Sequence, residues 1–164
     1  AKSEAAFERL RRQFSGQTVT KVYLALAHGA LTQGGTLEGY LTHQGGAQCV
    51  MKVLQDFHDP ARPDVFKAIT HYQVEKRWPR YSLLRITIPT GVTHQIRCQL
   101  AGFGHPIVGD RIYGRRTPLD KQAPRHFLHA YELELKHPRD GRTVAFQAPC
   151  PADLLGMLRQ LDAG

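Results

Sequence analysis

The residues best suited to chemistry lie between positions 90 and 114. Residues 90–97 are Thr-Gly-Val-Thr-His-Gln-Ile-Arg, and residues 104–110 are Gly-His-Pro-Ile-Val-Gly-Asp, followed by Tyr113 and Gly114. This order predicts a strand that enters a glycine turn and then a helix, whose first backbone N–H groups are free to meet an anion. The run therefore suits a phosphate group or the edge of a base. The alternative is an ordinary capped helix in which Arg97 pairs with an acidic neighbour.

The charge balance of the chain favours a polyanionic partner. Lysine and arginine number 22 against 14 aspartate and glutamate, which gives a net charge of +8 and a pI near 9.7. Cations placed on phosphates release condensed counterions, so such an excess favours nucleic acid. In residues 76–81 and 111–116, basic side chains interleave with aromatic ones, a combination that holds unstacked bases on a phosphate track. Solvated loops with anchoring aromatic residues would explain either cluster taken alone.

Length and composition predict one domain, residues 1–164, with ordinary apolar and charged fractions of 41% and 22%. The apolar runs are far too short to span a bilayer, and the first residues contain no stretch typical of a secretory signal. Cys49, Cys98 and Cys150 are widely spaced and odd in number, which favours reduced thiols over disulfide bonds or a zinc site. We therefore expect a cytoplasmic protein with no membrane partner.

Periodicity and capping signals predict three helices. The first follows the N-cap Ser3, ends near residue 14 and turns an apolar stripe toward the core: Phe7, Leu10 and Phe14. The second covers residues 93–101 and ends at Gly102. The third opens at Pro151 and buries a stripe of leucines: Leu154, Leu155, Leu158 and Leu161.

The remaining segments predict strands and loops. Residues 56–64 and 104–124 are expected to be mostly loop, because both are rich in turn residues. The predicted strands are residues 19–27, 36–43, 47–54, 66–75, 81–88, a segment that begins at 127, and 143–147. Since strands and helices do not alternate strictly, we expect an α+β fold with a largely antiparallel sheet.

Four blocks of the chain resemble, in order, the signatures of the RluA family of RNA pseudouridine synthases. Residues 90–97 resemble the family's T-G-R-T-H-Q-I-R, and residues 104–114 resemble its downstream G-H-P-I-x-G-D-x-x-Y-G. Upstream, residues 21–25 resemble a K-x-Y-x-A strand, and residues 67–70 with 81–84 resemble the paired strands before the signature. Residues 125–151 resemble the family's C-terminal block. Chance does not supply four ordered blocks across nearly the whole chain.

The resemblance implies a pseudouridine synthase fold, a mixed and largely antiparallel central sheet flanked by helices and loops. It implies that a uridine of structured RNA, ribosomal or transfer, is isomerised to pseudouridine without a cofactor or a metal ion. The target base leaves the stack and enters a pocket, as for other base-modifying enzymes. An aspartate carboxylate attacks the nucleoside or abstracts a proton, the C1′–N1 bond breaks, and the uracil turns so that C5 rejoins C1′.

Motif positions imply roles for individual residues. Tyr23 matches the tyrosine that packs on the base and assists the final proton removal. Arg97 matches the arginine that pairs with the catalytic aspartate, and Leu128 matches the apolar residue on the other side of the base. The other substrate-binding candidates belong to the signature: Thr90, Gly91, Thr93, His94, Gln95 and Ile96. The RNA-binding candidates are arginines of the basic clusters and the C-terminal block: Arg77, Arg80, Arg115, Arg116 and Arg125.

The chain departs from the family pattern at the catalytic aspartate. In the family this residue lies in an R-L-D-x-x-T-S-G motif ahead of the K-x-Y-x-A strand, whereas all eight aspartates here lie downstream of that strand. Without its main carboxylate the site should bind RNA but not turn over. We therefore expect a truncated, inactive form of the enzyme in these 164 residues. Two smaller departures are Val92, in place of the signature's arginine, and Cys98-Gln99, in place of Val-His.

Two other functions are open as hypotheses. The absent aspartate and Val92 also fit a non-catalytic RNA-binding or ribosome-assembly module on the same fold. A histidine metalloprotein is suggested by nine histidines and by the pair His126 and His129. On a strand, however, residues three apart point to opposite faces, and no H-E-x-x-H or Cys/His cluster accompanies the pair. We therefore expect no bound metal.

Overall fold

The computed structural model describes residues 1–45, 50–54 and 62–163 of the chain. Over these residues it forms four helices and one seven-stranded sheet. The helices are α1 (Glu4–Ser15), α2 (Gln95–Gly102), α3 (Pro118–Gln122) and α4 (Ala152–Ala163). The strands are β1 (Thr20–His28), β2 (Gly35–Gln44), β3 (Val50–Leu54), β4 (Val65–Trp78), β5 (Tyr81–Thr87), β6 (Leu128–Lys136) and β7 (Thr143–Gln147).

The sheet has the strand order β3-β2-β4-β5-β1-β6-β7, and all of its pairings are antiparallel. The predicted α+β class is therefore confirmed. The predicted strand over residues 47–54 is observed from Val50; its first residues, 47–49, lie outside the described residues. Strand β1 lies between β5 and β6, and its register on β6 shifts between Val22 and Tyr23. Such a bulge re-aims the side chains beside it, here at the position of Tyr23.

One apolar cluster joins the middle of the sheet to α2 and α4. On β5 the side chains of Ser82, Leu84 and Ile86 are buried in strict alternation, as a strand with one covered face requires. Leu100 of α2 and Leu154 of α4 are fully buried in the same cluster. The terminal helix is thus present as predicted, although its second buried residue is Met157, and Leu155, Leu158 and Leu161 are only half-buried.

Helix α1 has the predicted bounds but not the predicted burial. Ser3 caps it by accepting a hydrogen bond from the Ala6 amide at 3.3 Å. The expected inward stripe is wrong, because Phe7 and Phe14 are 50% and 47% exposed and Leu10 is only half-buried. The helix instead meets the β6–β7 hairpin through polar groups. Arg9 donates to the Pro138 carbonyl at 2.6 Å, and Gln13 exchanges two hydrogen bonds with the backbone of Lys136.

The region predicted as loop over residues 104–124 contains one short helix, α3. Its N-cap Thr117 and the N3 residue Asp120 form a reciprocal capping box, and Pro118 stands at the first helical position. The sequence Thr-Pro-Leu-Asp carried this signal, which the abundance of turn residues concealed. Among the described helices, none is long and apolar enough to cross a membrane.

Candidate active site

A pocket of about 250 Å³ lies where β1, the turn after β5, the start of α2 and the start of β6 meet. Its polar lining residues are Tyr23, His94, Gln95, Arg97 and His126. Its apolar lining residues are Ile88, Val92, Ile96 and Leu128. The structure thus places Tyr23, Arg97 and Leu128, which come from three separate motifs, around one cavity.

Buried hydrogen bonds tie the turn between β5 and α2 to strand β4. The Gln95 amide donates to the Ile69 carbonyl at 2.8 Å and to the Thr70 hydroxyl at 3.0 Å. Its Oε1 accepts from the Val92 amide at 3.1 Å and from the Thr90 hydroxyl at 2.9 Å. The Thr90 hydroxyl also accepts from the Ile69 amide at 2.9 Å. Since both side chains are buried, Thr90 and Gln95 shape the pocket through these bonds.

The other predicted residues of the turn differ in placement. Ile96 is buried and lines the pocket. Gly91 and Thr93 are exposed and lie outside the pocket lining. A Cβ at Gly91 would meet only the Lys21 Nζ at 3.5 Å, so an ordinary side chain would fit there.

His94 is the N-cap of α2 and has a left-handed backbone conformation, with φ 53° and ψ 17°. A non-glycine residue in this region is uncommon, although histidine tolerates it better than most. Its Nδ1 lies 3.1 Å from the Tyr113 hydroxyl, and the two rings meet edge to face at 5.7 Å. The same hydroxyl accepts the Met51 amide at 2.7 Å. Tyr113 therefore connects the pocket to the edge strand β3.

Arg97 forms a two-point ion pair with Asp110. Its Nε and Nη2 each lie 2.7 Å from one carboxylate oxygen, and the two side chains are 11% and 0% exposed. The Asp110 carboxylate also accepts the amides of Ile112 and Tyr113 at 2.9 and 3.1 Å. The guanidinium further lies over the Tyr113 ring at 5.2 Å. These contacts fix the orientation of Arg97, the cation of the pocket lining.

Burial and this ion pair set the protonation of the pocket. Burial alone would raise the pKa of the Asp110 carboxyl, but hydrogen bonds from Arg97 and from two backbone amides outweigh it and hold the pKa below its ordinary value. The Asp110 carboxylate in turn raises the pKa of Arg97. Burial and the Arg97 charge lower the pKa of both His94 and His126. Burial raises the pKa of Tyr23. The pocket therefore combines one fixed cation with neutral imidazole and phenol groups.

Asp120 and His28 anchor the segment that carries Asp110. Gly109 has a φ of +75°, and a Cβ there would come within 2.5 Å of the Arg125 carbonyl oxygen, so the position requires glycine. The Gly109 amide donates to Asp120 at 2.8 Å, and Asp120 also pairs with the buried His28 at 3.0 Å. These bonds anchor Asp110, and through it Arg97, to strand β1.

The first basic cluster does not lie beside the pocket. Arg77 and Arg80 are exposed at the β4–β5 hairpin, where Tyr81 pairs with His28, whereas Tyr23 pairs with Ile86. Five residues of strand separate the two positions, roughly 16 Å. Both aromatic residues of the cluster contact the fold. The Trp78 indole is buried and donates to Asp162 at 3.0 Å, and the half-buried Tyr81 ring lies 5.3 Å from the His28 ring.

The second basic cluster is linked to the pocket through Asp110. Arg115 and Arg116 are exposed and line a cleft of about 320 Å³ together with Arg111, Lys121 and Asp110, the partner of Arg97. Arg125, by contrast, pairs with Asp153 at 2.9 Å and donates to the Leu128 carbonyl at 3.3 Å. It therefore supports the chain at Leu128, and it adjoins His126 in sequence.

The structure adds three residues to the predicted site: Asp110, Tyr113 and His126. The spacing of the motif at 104–114 contained Asp110 and Tyr113, but their partners follow only from the fold. His126 lines the pocket, whereas the His129 Nε2 lies 2.9 Å from the Ala148 carbonyl oxygen. Within the described ranges, no group of three or more His, Cys, Asp or Glu residues could hold a metal ion.

Sequence and structure comparisons place these features in a family. The model of the family described as RNA pseudouridylate synthase matches residues 1–102. Ribosomal large subunit pseudouridine synthase D of Nitrosomonas europaea is 37% identical over 164 residues, covering 96% of this chain and 45% of that protein. An uncharacterized RNA pseudouridine synthase of Chloroflexus aurantiacus is 41% identical over 162 residues, covering 98% of this chain and 48% of that protein. The chain therefore spans about half the length of these relatives.

Solved structures show the same fold. Human RNA pseudouridylate synthase domain containing 1 superposes with a TM-score of 0.76 at 24% identity, covering all of this chain and 74% of that one. Human RNA pseudouridylate synthase domain containing 4 superposes with a TM-score of 0.77 at 19% identity, covering 98% of this chain and 69% of that one. This chain therefore shares the fold of these two domains. The chain belongs to the RNA pseudouridylate synthase family, and its relatives confirm the resemblance to the RluA type.

Proposed function

We propose that this domain takes part in isomerising a uridine of RNA to pseudouridine, with the uracil bound between Tyr23 and Leu128. The observation that carries the proposal is the meeting of Tyr23, Arg97 and Leu128 around one pocket in a chain of this family. An aromatic ring and apolar walls suit a flat, unstacked base. Entry of that base requires flipping from the stack, which is least costly in loops and single strands.

Arg97 binds and aims the carboxylate that starts the reaction. Asp110 occupies its Nε and Nη2, so Nη1 is the nitrogen left for a second anion at the pocket. Burial keeps the Tyr23 phenol protonated, and its first role is therefore to pack on the base. After C5 has rejoined C1′, the C5 proton must leave for solvent. Because the Tyr23 phenol keeps its own proton, we assign its oxygen to assist that removal as a hydrogen-bond acceptor.

The catalytic carboxylate is not Asp110. This residue contacts Arg97, but it is buried and accepts four hydrogen bonds, so its oxygens are not free to reach a nucleoside. Asp120 is likewise held by His28 and Thr117. From the family's motif we assign the nucleophile to an R-L-D segment that these 164 residues do not contain. In this proposal the chain supplies the pocket and the RNA surface, and lacks turnover by itself.

The RNA partner is either ribosomal or transfer RNA, and the site of action is the cytoplasm. Several relatives are named for the ribosomal large subunit, so ribosomal RNA is the first substrate to test. Exposed Arg115 and Arg116, beside Arg111 and Lys121, offer phosphate contacts near the pocket. The net charge of +8 supports a polyanionic partner of this kind.

A chimera tests the proposed isomerase directly. A family segment that carries R-L-D-x-x-T-S-G is joined ahead of residue 1, and tritium release is followed from RNA transcripts with 5-tritiated uridine. The matched control replaces the motif aspartate with asparagine. We expect release from the chimera and none from its control. A folded chimera that binds RNA but forms no pseudouridine in ribosomal or transfer RNA would overturn the proposal and favour a non-catalytic RNA-binding module.

A further inference from the structure

His94 combines an uncommon backbone with a fixed side chain at the edge of the pocket. Its φ of 53° is one of two positive values found at non-glycine residues in the described part of the chain. Such conformations persist where the surroundings over-determine them, and they cluster at binding and active sites. Here the surroundings are the Tyr113 ring, the Tyr113 hydroxyl and the start of α2.

The hydrogen bonds of Tyr113 favour one tautomer of His94. The Tyr113 hydroxyl has one proton, and it accepts the Met51 amide at 2.7 Å. If it also accepted a proton from His94 Nδ1, its own proton would lack a partner among the bonds that the described residues form, which is unfavourable at this half-buried hydroxyl. The satisfied arrangement has the hydroxyl donating to Nδ1, which leaves the His94 proton on Nε2.

In this tautomer the N–H donor lies on the imidazole edge away from the Tyr113 hydroxyl. Nδ1 faces Tyr113, so the ring edge with Nε2 is the part of His94 that remains for the cavity it lines. Arg97 lies in the same lining and disfavours a second positive charge on the imidazole. The nearby walls, Val92, Ile96 and Leu128, are apolar. A neutral donor in an apolar wall suits a carbonyl oxygen better than a phosphate, which prefers charged donors.

We propose that His94, held by Tyr113 as its Nε2–H tautomer, binds the O4 carbonyl oxygen of the flipped uracil and thereby selects uracil over cytosine. The inference rests on the proposed function and adds a specificity-determining residue to it. Uracil has two carbonyl oxygens, whereas cytosine replaces one of them with an amino group that cannot accept this hydrogen bond. The signature run therefore contributes base recognition through His94, in addition to the fixed cation Arg97.

Nuclear magnetic resonance of the 164-residue chain with ¹⁵N-labelled histidine tests both halves of the proposal. Long-range proton–nitrogen correlations at neutral pH report which imidazole nitrogen is protonated, and His94→Asn identifies the His94 signals by their loss. We expect His94 to be neutral with its proton on Nε2. Uridine monophosphate should shift the Nε2–H signal more than cytidine monophosphate does, and inorganic phosphate should leave it in place.

Two substitutions separate recognition from backbone tolerance. Asparagine accepts a left-handed conformation better than most residues and places an oxygen near the Nδ1 position, so His94→Asn preserves the structural role. Glutamine reaches the Nε2 position with an N–H donor. We expect His94→Asn to weaken uridine monophosphate binding about fivefold, the effect of one neutral hydrogen bond, and His94→Gln to stay within about twofold. A purely structural role predicts the opposite order.

Several results would overturn the inference: a proton on Nδ1, a charged His94 imidazole, equal response to the two nucleotides, or no response of Nε2–H to uridine monophosphate. Tyr113→Phe adds a check, since it retains the ring over Arg97 and removes the hydroxyl. It should give a mixture of tautomers. Failure of the proposed function gives a different result: the chimera releases no tritium, while the His94 signal still responds to uridine monophosphate.

Discussion

Asp110→Asn should destabilise the fold, because it breaks a buried ion pair while the side chain keeps its size. The Asp110 side chain is 0% exposed and accepts hydrogen bonds from Arg97 and from two backbone amides. Asparagine keeps one acceptor oxygen and replaces the other with an NH₂ group. That group would face a donor, and Arg97, only 11% exposed, would lose its counter-charge.

The expected cost is about 3–5 kcal/mol of unfolding free energy, the range found when one partner of a buried pair is removed. Urea unfolding followed by circular dichroism measures it. Asp153→Asn is the matched control, since Asp153 also pairs with an arginine, Arg125, through Nε at 2.9 Å. Those side chains are 39% and 37% exposed, so water can replace the pair and the midpoint should change little.

The comparison isolates burial, because both substitutions remove one carboxylate from an arginine. If Asp110→Asn lowered the unfolding free energy no more than Asp153→Asn does, the Arg97–Asp110 pair would not stabilise the fold around Asp110. Arg97 would then need another explanation for its orientation in the pocket. A large loss for Asp110→Asn alone would support the assignment.

Three further outcomes follow from burial and charge. The pKa of Asp110 is lower in the folded chain, so its stabilisation is present above its ordinary pKa of about 4 and is lost as pH falls through the folded value; acid should lower the wild-type urea midpoint more steeply than that of Asp110→Asn, and parallel profiles would contradict this. Burial raises the pKa of Cys98 to about 11, so iodoacetamide should modify Cys98 in urea but not in the native chain. Mass spectrometry measures the modification, and rapid labelling of the native chain would contradict this expectation. Phe127→Ala should cost about 3–5 kcal/mol in urea unfolding, because Phe127 is fully buried, and Phe146→Ala, at a residue 60% exposed, should cost within about 0.5 kcal/mol; equal losses would refute the placement of the core.

The sheet and the position of the pocket were predictable because their signals are local. Alternation of apolar residues fixed the strands, as on β5, and cap signals fixed α1 at Ser3. Motif order then selected Tyr23, Arg97 and Leu128, which the fold brings to one cavity. The strands and the cap need only residue type and spacing, whereas the three pocket residues were selected through the resemblance of the ordered blocks to a known family.

The errors arose where the outcome depends on what an element packs against. Phe7 and Phe14 lie at helical spacing, but the spacing does not reveal that α1 meets the β6–β7 hairpin through Arg9 and Gln13. Likewise, no pattern in the sequence predicts that Arg97 and Asp110, which are 13 residues apart, form an ion pair. Partner choice is a property of the tertiary structure, and long-range pairs such as this one emerge only with it.

The most direct test of the account is tritium release from 5-tritiated uridine in ribosomal and transfer RNA by the 164-residue chain, with RNA binding measured in the same samples. We expect bound RNA, with affinity that falls as salt rises, and no tritium release. Tritium release would contradict it, because one of the eight aspartates in the sequence would then be the nucleophile. Absence of RNA binding at low salt would contradict it as well.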